Sequence, residues 1–512
     1  MDDMARIKEK TGIHNTKIWN MLYNFQQDAV VGAIKKLELY NGCIIADSVG
    51  LGKTFEALAI MKYYELRNAR VLVLTPKKLR SNWIGFKQNT KTNPLVEDRF
   101  NYDVLNHTDL SREFGHSGDI DLRKVNWGNY DLVVIDESHN FRNNPALKGK
   151  KTRYQKLMED IIKSGVKTKV LMLSATPVNN RLADLKNQIM FITEDKDDAF
   201  KDNVGIDSIE NTLRIAQQRF NEWTRLAKDN LSIDTLLPML DYDFFNLLNT
   251  VTIARSRKHI QKYYETKDIG EFPNRLKPIS IKTDIDINHE FPSLTEINNV
   301  ISKLYLPIYS PLLYVMPSRI EEYEKLYEQV VKGGQGSFKQ SDRERNLVNL
   351  MRVNILKRLE SSIHSFRLTI ERIKEKIDEM LSIIQNHEEY QLEMDDDFDD
   401  DELDDQELGS KVKVKLKDID VIRLKADLED DKTALEYLLK ASSKVHTKDD
   451  AKLLELRKQI VKKIKYPINE GNKKVIVFTA FADTADYLYE NISNWILEHY
   501  GLYSGVVTGA GS

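Results

Sequence analysis

The run "ADSVGLGKT" (46–54) holds four residues, Gly50, Gly52, Lys53 and Thr54, whose types and spacing suit a polyphosphate. Glycines let backbone N–H groups approach phosphate oxygens, a lysine reaches the terminal phosphates, and a hydroxyl on the next residue ligates Mg²⁺. The general pattern G-x-x-x-x-G-K-[ST] has glycine where this chain has Asp47. That first glycine serves a tight turn, so the part that grips phosphate is intact. About eighty residues on, the apolar run "DLVVIDESHN" ends in Asp136-Glu137-Ser138-His139. A carboxylate at the C-terminal end of a strand can hold Mg²⁺, and a second can orient an attacking water. Asp136 and Glu137 are therefore candidates for metal binding and catalysis, with Lys53 as their cationic partner and Thr54 as a second Mg²⁺ ligand.

Such a site needs short buried strands with loops at their C-terminal ends. The runs "CIIA" (43–46), "RVLVLT" (70–75), "DLVVID" (131–136) and "KVLMLSAT" (169–176) supply them. Their near-continuous apolar character predicts a parallel sheet covered on both faces. "FEALAIMKYYELRNA" has helical spacing, which places the glycine loop in a strand–loop–helix–strand unit over 21–193. From 194 to 340 the pattern is mostly helical and charged. Leu356, Leu359, Ile363, Phe366, Ile370, Ile373, Ile377, Met380 and Ile384 then repeat at steps of three and four. They predict one long helix in an antiparallel hairpin over 341–470, the seam serving either internal packing or a protein partner. At 473 the α/β pattern returns ("KKVIVFTAF", a helix, then "SGVVTG"), the expected opening of a second α/β lobe over 471–512. Residues 1–20 read as an N-terminal extension.

The net charge of −3 conceals an asymmetry. Residues 386–408 hold thirteen acidic side chains and no basic one, and without them the chain stands at +10. A basic body is compatible with a nucleic-acid backbone. The acidic run reads as a solvated loop and not a calcium loop, because Asp400 occupies the position that needs glycine. Cys43, the single cysteine, excludes an internal disulfide and reads as a core residue. No run is apolar enough to span a membrane, and the start lacks a signal peptide's apolar core, so a cytoplasmic location is expected.

"DSVGLGKT", "DESH" and "LSATP", in that order, resemble motifs I, II and III of superfamily 2 helicases. D-x-x-G-L-G-K-T is similar to the Swi/Snf-type branch, whose motif I commonly carries aspartate at the position of Asp47. "LYNFQQDAV" resembles the segment whose glutamine reads adenine, here Gln26. "LTPKKLRSNW" is similar to motif Ia, Asn180 falls in a tail typical of the branch, "ARSRKHIQKYY…EFPNRL" resembles its arginine-rich brace and "VIVFTAFADTADYL" its motif IV. "ILKRLESS" resembles bacterial members related to a translocase that recycles RNA polymerase.

The resemblance implies an α/β fold with a RecA-like P-loop lobe, a doubly wound parallel sheet, a large helical insertion and the first part of a second RecA-like lobe. It implies ATP and Mg²⁺ as cofactors and duplex DNA as partner. Ser174 and Thr176 would couple the ATP site to DNA, and Thr75, Lys77 and Arg80 would lie near a phosphate backbone. Arg255 and Arg257 read as DNA contacts or as solvated charges, and His139 as a structural or a functional histidine. Motif II has Ser138 where remodellers usually have alanine, motif III is SAT where many have TGT, and nothing corresponds to motifs V and VI. The expected activity is ATP-driven movement on duplex DNA. The alternatives are strand separation, or nucleotide binding without turnover.

Overall fold

Short runs of two to five residues, rich in β-branched residues and leucine, form the strands of the sheet. They are β1 (Gly42–Ile45), β2 (Val71–Thr75), β3 (Asp103–Asn106), β4 (Leu132–Asp136), β5 (Lys169–Leu173) and β6 (Thr252–Ile253). The structure is a computed structural model. It describes residues 12–141, 151–176, 182–226, 232–264, 269–270, 272, 276–327, 329–330, 337–338, 340–386, 391–393 and 413–509. Asn180, most of the acidic run and residues 273–275 lie outside the described residues.

The chain forms two compact units, Met1–Arg275 and Leu276–Ser512, dividing inside the stretch expected as one linking region. In the first unit the six strands form one parallel sheet in the order β3-β2-β4-β5-β1-β6, beside a short antiparallel hairpin at 116–121. One face buries Ile44, Leu72, Leu74, Val133 and Met172, and the other Cys43, Ile45, Val71, Val73 and Leu171, so a core lies on each side. The four expected strands form within three residues of their predicted ends, and Cys43 is buried. β3 and β6 were not legible. "DVLN" has two apolar residues, and β6 is only two residues long. The helices that matter for the site are α1 (Asn24–Tyr40), α2 (Lys53–Glu65), α3 (Ala183–Thr193) and α4 (Arg257–Tyr263).

The second unit is built on α5 (Gln340–Ser361), α6 (Ile363–Asn386), α7 (Val421–Ser443), α8 (Ala451–Lys465) and α9 (Ala482–Tyr500). The single helix expected across the seam breaks at Ser362, whose hydroxyl accepts from the Ser365 N–H at 3.1 Å and caps the next helix. Arg367 donates to the Val445 carbonyl and Lys432 pairs with Asp378, so α6 and α7 run antiparallel as expected. The seam residues Phe366, Ile370 and Ile377 are fully buried, which makes the repeat internal packing. Residues 473–481 and 504–509, expected as strands, form no strand ladder among the described residues, and Ile476 and Phe478 are exposed. A parallel strand gains its ladder only from a neighbouring strand. Among the described residues no helix is long and apolar enough to cross a membrane.

Glu344 of α5 is buried in this unit and accepts the Leu312 N–H at 3.0 Å, while its other oxygen has no partner. Burial pushes its carboxyl up to about 8. Folding thus holds a proton that the unfolded chain releases near 4.5. The contribution is complete below that value and is lost as pH rises through 8. The unfolding midpoint of the wild type is expected to fall between pH 5 and 8.5, and Glu344→Gln to flatten that slope in thermal melts across the range.

Candidate nucleotide site

The loop after β1 is shaped by contacts on three sides. Gly50 and Gly52 have φ of +81° and +86°, a region that side chains rarely enter. A Cβ on Gly52 would sit 2.3 Å from the Gln26 amide nitrogen, so the glycine is what lets α1 close on the loop. Gln26 is buried there. Its Nε2 donates to the Leu51 carbonyl at 2.9 Å, and its Oε1 accepts from the Tyr23 N–H at 3.0 Å. An amide has two donors and two lone pairs, so one of each remains for a base. Lys53 and Thr54 open α2, at the positive end of its dipole, and the Lys53 ammonium donates to the Asp47 carbonyl at 2.8 Å.

Asp136 ends β4, on the sheet edge that carries the glycine loop. Its Oδ1 accepts from the Glu137 N–H at 3.0 Å, and its Oδ2 from the Trp83 indole at 2.9 Å and the Thr75 hydroxyl at 3.5 Å. Burial raises this carboxyl, and Lys53 is near enough to pull it the other way. A partly desolvated carboxylate beside a phosphate-gripping loop, with a hydroxyl at Thr54, is a donor set that fits Mg²⁺. Glu137 takes φ +48°, left-handed backbone that a non-glycine residue holds only where its surroundings impose it. His139 Nδ1 lies 3.3 Å from both the Glu137 Oε2 and the Ser174 Oγ. Ser138 donates to Gln188 of α3 at 2.8 Å, and the Thr176 N–H to the Ser174 hydroxyl at 3.3 Å. These bonds join the ends of β4 and β5, and they draw His139, left open by its sequence context, into that link.

Two expected phosphate-backbone contacts are corrected. Thr75 is fully buried beneath Asp136. Arg80 spends its donors on the Val104 carbonyl (2.9 Å), the Ser117 hydroxyl (2.7 Å) and the Ser117 carbonyl (3.0 Å). It staples β3 to the 116–121 hairpin. Lys77 is exposed. Trp83, legible only as the end of a motif, is the missed neighbour of Asp136. Losing its indole N–H in Trp83→Phe keeps the aromatic packing but frees the carboxylate. The Mg²⁺ concentration for half-maximal nucleotide binding is expected to rise about 10-fold or more, as for other groups that orient metal ligands, measured by titration.

Arg255 is neither a DNA contact nor a solvated charge. It follows β6 and is buried, with its guanidinium between Asp47 and Glu56. The backbone continues the contact: the Ala46 N–H donates to the Ile253 carbonyl at 2.7 Å and the Ser48 N–H to the Arg255 carbonyl at 3.0 Å. Arg257 Nη2 donates to the Val49 carbonyl at 3.3 Å.

A family model described as the type III restriction enzyme res subunit matches residues 20–179, which contain this whole loop-and-carboxylate arrangement. An uncharacterized ATP-dependent helicase, YqhH of Bacillus subtilis, is 34% identical over 169 residues, covering 31% of this chain and 28% of that protein. The Xenopus laevis SWI/SNF-related matrix-associated actin-dependent regulator of chromatin subfamily A-like protein 1 is 30% identical over 194 residues, covering 36% of this chain and 18% of its own. Over this region the chain is thus similar to ATP-dependent helicases, SWI/SNF-related proteins among them. Mouse ZRANB3, a DNA annealing helicase and endonuclease, is 24% identical over 278 residues, 52% of this chain and 24% of that protein. The chain spans less than a third of the length of these relatives. A Sulfolobus solfataricus SWI2/SNF2 ATPase core in complex with double-stranded DNA shares 17% identity, covering 70% of this chain and 65% of that one. Its TM-score is 0.30, too low to add to the fold seen directly. Asp47, the departure from the general loop pattern, has a physical reason in its buried partner Arg255.

Proposed function

We propose that this chain binds ATP with Mg²⁺ and hydrolyses it as part of a motor that moves along duplex DNA. The observation that carries the reading is the convergence of Lys53, Thr54, Asp136 and Glu137 at the C-terminal ends of β1 and β4, linked through His139 to Ser174. Lys53 and the Gly50–Gly52 backbone would hold the phosphates, Thr54 and Asp136 would hold Mg²⁺, and Glu137 would orient the attacking water. The metal would offset phosphate charge as the terminal bond breaks. Gln26, already fixed to the loop, has a donor and an acceptor left for adenine. Ser174 and Thr176 receive the state of Glu137 through His139, a physical route for coupling the site to a nucleic acid.

Duplex DNA as the track is supported by the likeness to ZRANB3, a DNA annealing helicase, and by the basic body of the chain outside its acidic run. Lys77 remains a candidate for the phosphate backbone, contacting without reading sequence. The test is steady-state ATP hydrolysis by the full chain with no nucleic acid, duplex DNA, single-stranded DNA or RNA, with Lys53→Ala as the blank. Turnover above the blank, stimulated most by duplex, is expected. Stimulation by single strands alone would overturn the duplex assignment, and binding without turnover would leave a nucleotide-binding module.

A further inference from the structure

The geometry points to Arg255 as a positioning residue for the nucleotide, one that joins the base-reading turn to the phosphate loop from outside residues 20–179. The inference rests on the ATP reading above. Three contacts carry it, and each goes to a different part of the site. Towards the phosphate loop, the Asp47 Oδ1 accepts the Arg255 backbone N–H at 2.9 Å, and both Asp47 oxygens accept the Nε at 3.2 and 3.0 Å. Towards α2, whose first two residues are Lys53 and Thr54, Nη2 reaches Glu56 Oε1 at 2.6 Å. Towards the base-reading turn, Nη1 donates to the Phe25 carbonyl, and the guanidinium lies 5.1 Å from the centre of the Phe25 ring. Phe25 is the residue before Gln26.

A planar guanidinium with donors fixed in a fork can set three acceptors at once, which a flexible ammonium cannot. Asp47 and Glu56 are both fully buried, so neither acceptor has water as a substitute. The second oxygen of Glu56 has no hydrogen-bond partner, which leaves Arg255 as its cation among the described residues. Arg255 itself cannot drift, because the Ile253–Arg255 backbone is bonded to Ala46 and Ser48. The loop's shape and its distance from Gln26 thus depend on a side chain some 200 positions downstream. Gln26 itself spans the two parts through Tyr23 and Leu51, and Arg255 adds a second tie from outside both.

A structural role alone would show as lost stability, so the test separates stability from affinity. In the full chain, Asp47→Asn, Glu56→Gln and Arg255→Met are combined, which removes every charge of the cluster together. The probe is ADP with Mg²⁺, titrated by calorimetry beside thermal unfolding, with Lys53→Ala as reference. The combined variant is expected to unfold close to the wild type yet bind ADP at least about 10-fold more weakly, as expected when a site loses its alignment. Wild-type affinity in a stable combined variant would overturn the inference. If that variant fails to fold, Arg255→Lys decides. It keeps the charge and loses the fork, and is expected to weaken ADP with little change in unfolding. Undiminished affinity in Arg255→Lys would overturn the inference. A wild type that binds no ADP would overturn the ATP reading itself, and this inference with it.

Discussion

Arg255→Met is expected to destabilise the first unit more than any other single change around the loop. It strands Asp47 and Glu56, two fully buried carboxylates that share this one cation. Breaking a buried pair by removing one partner costs about 3–5 kcal/mol, because the remaining charge is left without solvent or counter-charge. Burial and the neighbouring Asp47 push the Glu56 carboxyl up to about 8, so it can take up a proton near neutral pH and Asp47 is the charge left bare. Asp47→Asn should cost less, since Glu56 still pairs with the guanidinium and the amide oxygen can still accept the Arg255 N–H. Glu56→Gln should cost least, because it leaves the Asp47–Arg255 pair complete. Urea unfolding of the three variants would give this order. Equal losses in all three would mean that the cluster contributes packing and not charge.

Glu137→Gln carries the largest expected effect on turnover. In the proposed reaction the carboxylate would orient the attacking water and take its proton, and the amide keeps its size while losing its basicity. Loss of a positioned base typically costs about 10²–10⁴-fold in rate. Nucleotide affinity should be unchanged, because Lys53, Thr54 and Asp136 remain in place. A rapid-mix measurement of bound and cleaved ATP separates the two quantities. The strained backbone of Glu137 survives the exchange, since glutamine and glutamate meet the same steric limits at φ +48°. Weakened binding in this variant would move Glu137 from the water to the metal.

The half of the site that sits on local pattern was legible in the sequence. Gly52, Lys53, Thr54, Asp136 and Glu137 follow strands whose apolar runs mark them, and their chemistry depends on neighbours a few residues away. What was not legible depends on distance. Arg255 stands in a charged stretch, and nothing local distinguishes a buried arginine from a solvated one. Only the two-residue pairing of β6 with β1 carries it inside. Trp83 looked like the tail of a motif, and its indole finds Asp136 only when the sheet brings β2 beside β4. Arg80 and Thr75 failed as backbone contacts for the matching reason. Their polar character suggested a surface, whereas the fold gave each an internal acceptor. The strands expected at 473–481 and 504–509 show the same limit from the other side. Apolar runs identify a strand's composition, but a ladder needs a neighbour.

The short β6 also bears on the order in which the protein becomes competent during synthesis. The phosphate loop leaves the ribosome early, while the arginine that completes it follows 208 positions later. At about 5–20 residues per second that gap lasts roughly 10–40 s. Throughout it, Asp47 and Glu56 have no cation to enter the core with, so the loop end of α2 has reason to stay open. Closing so long a segment around a two-residue ladder adds little entropy per extra residue but must wait for the whole stretch. The nascent chain would therefore acquire its grip on nucleotide only after the first unit is complete through Arg255, and a ribosome stalled earlier would expose a lobe unable to engage ATP.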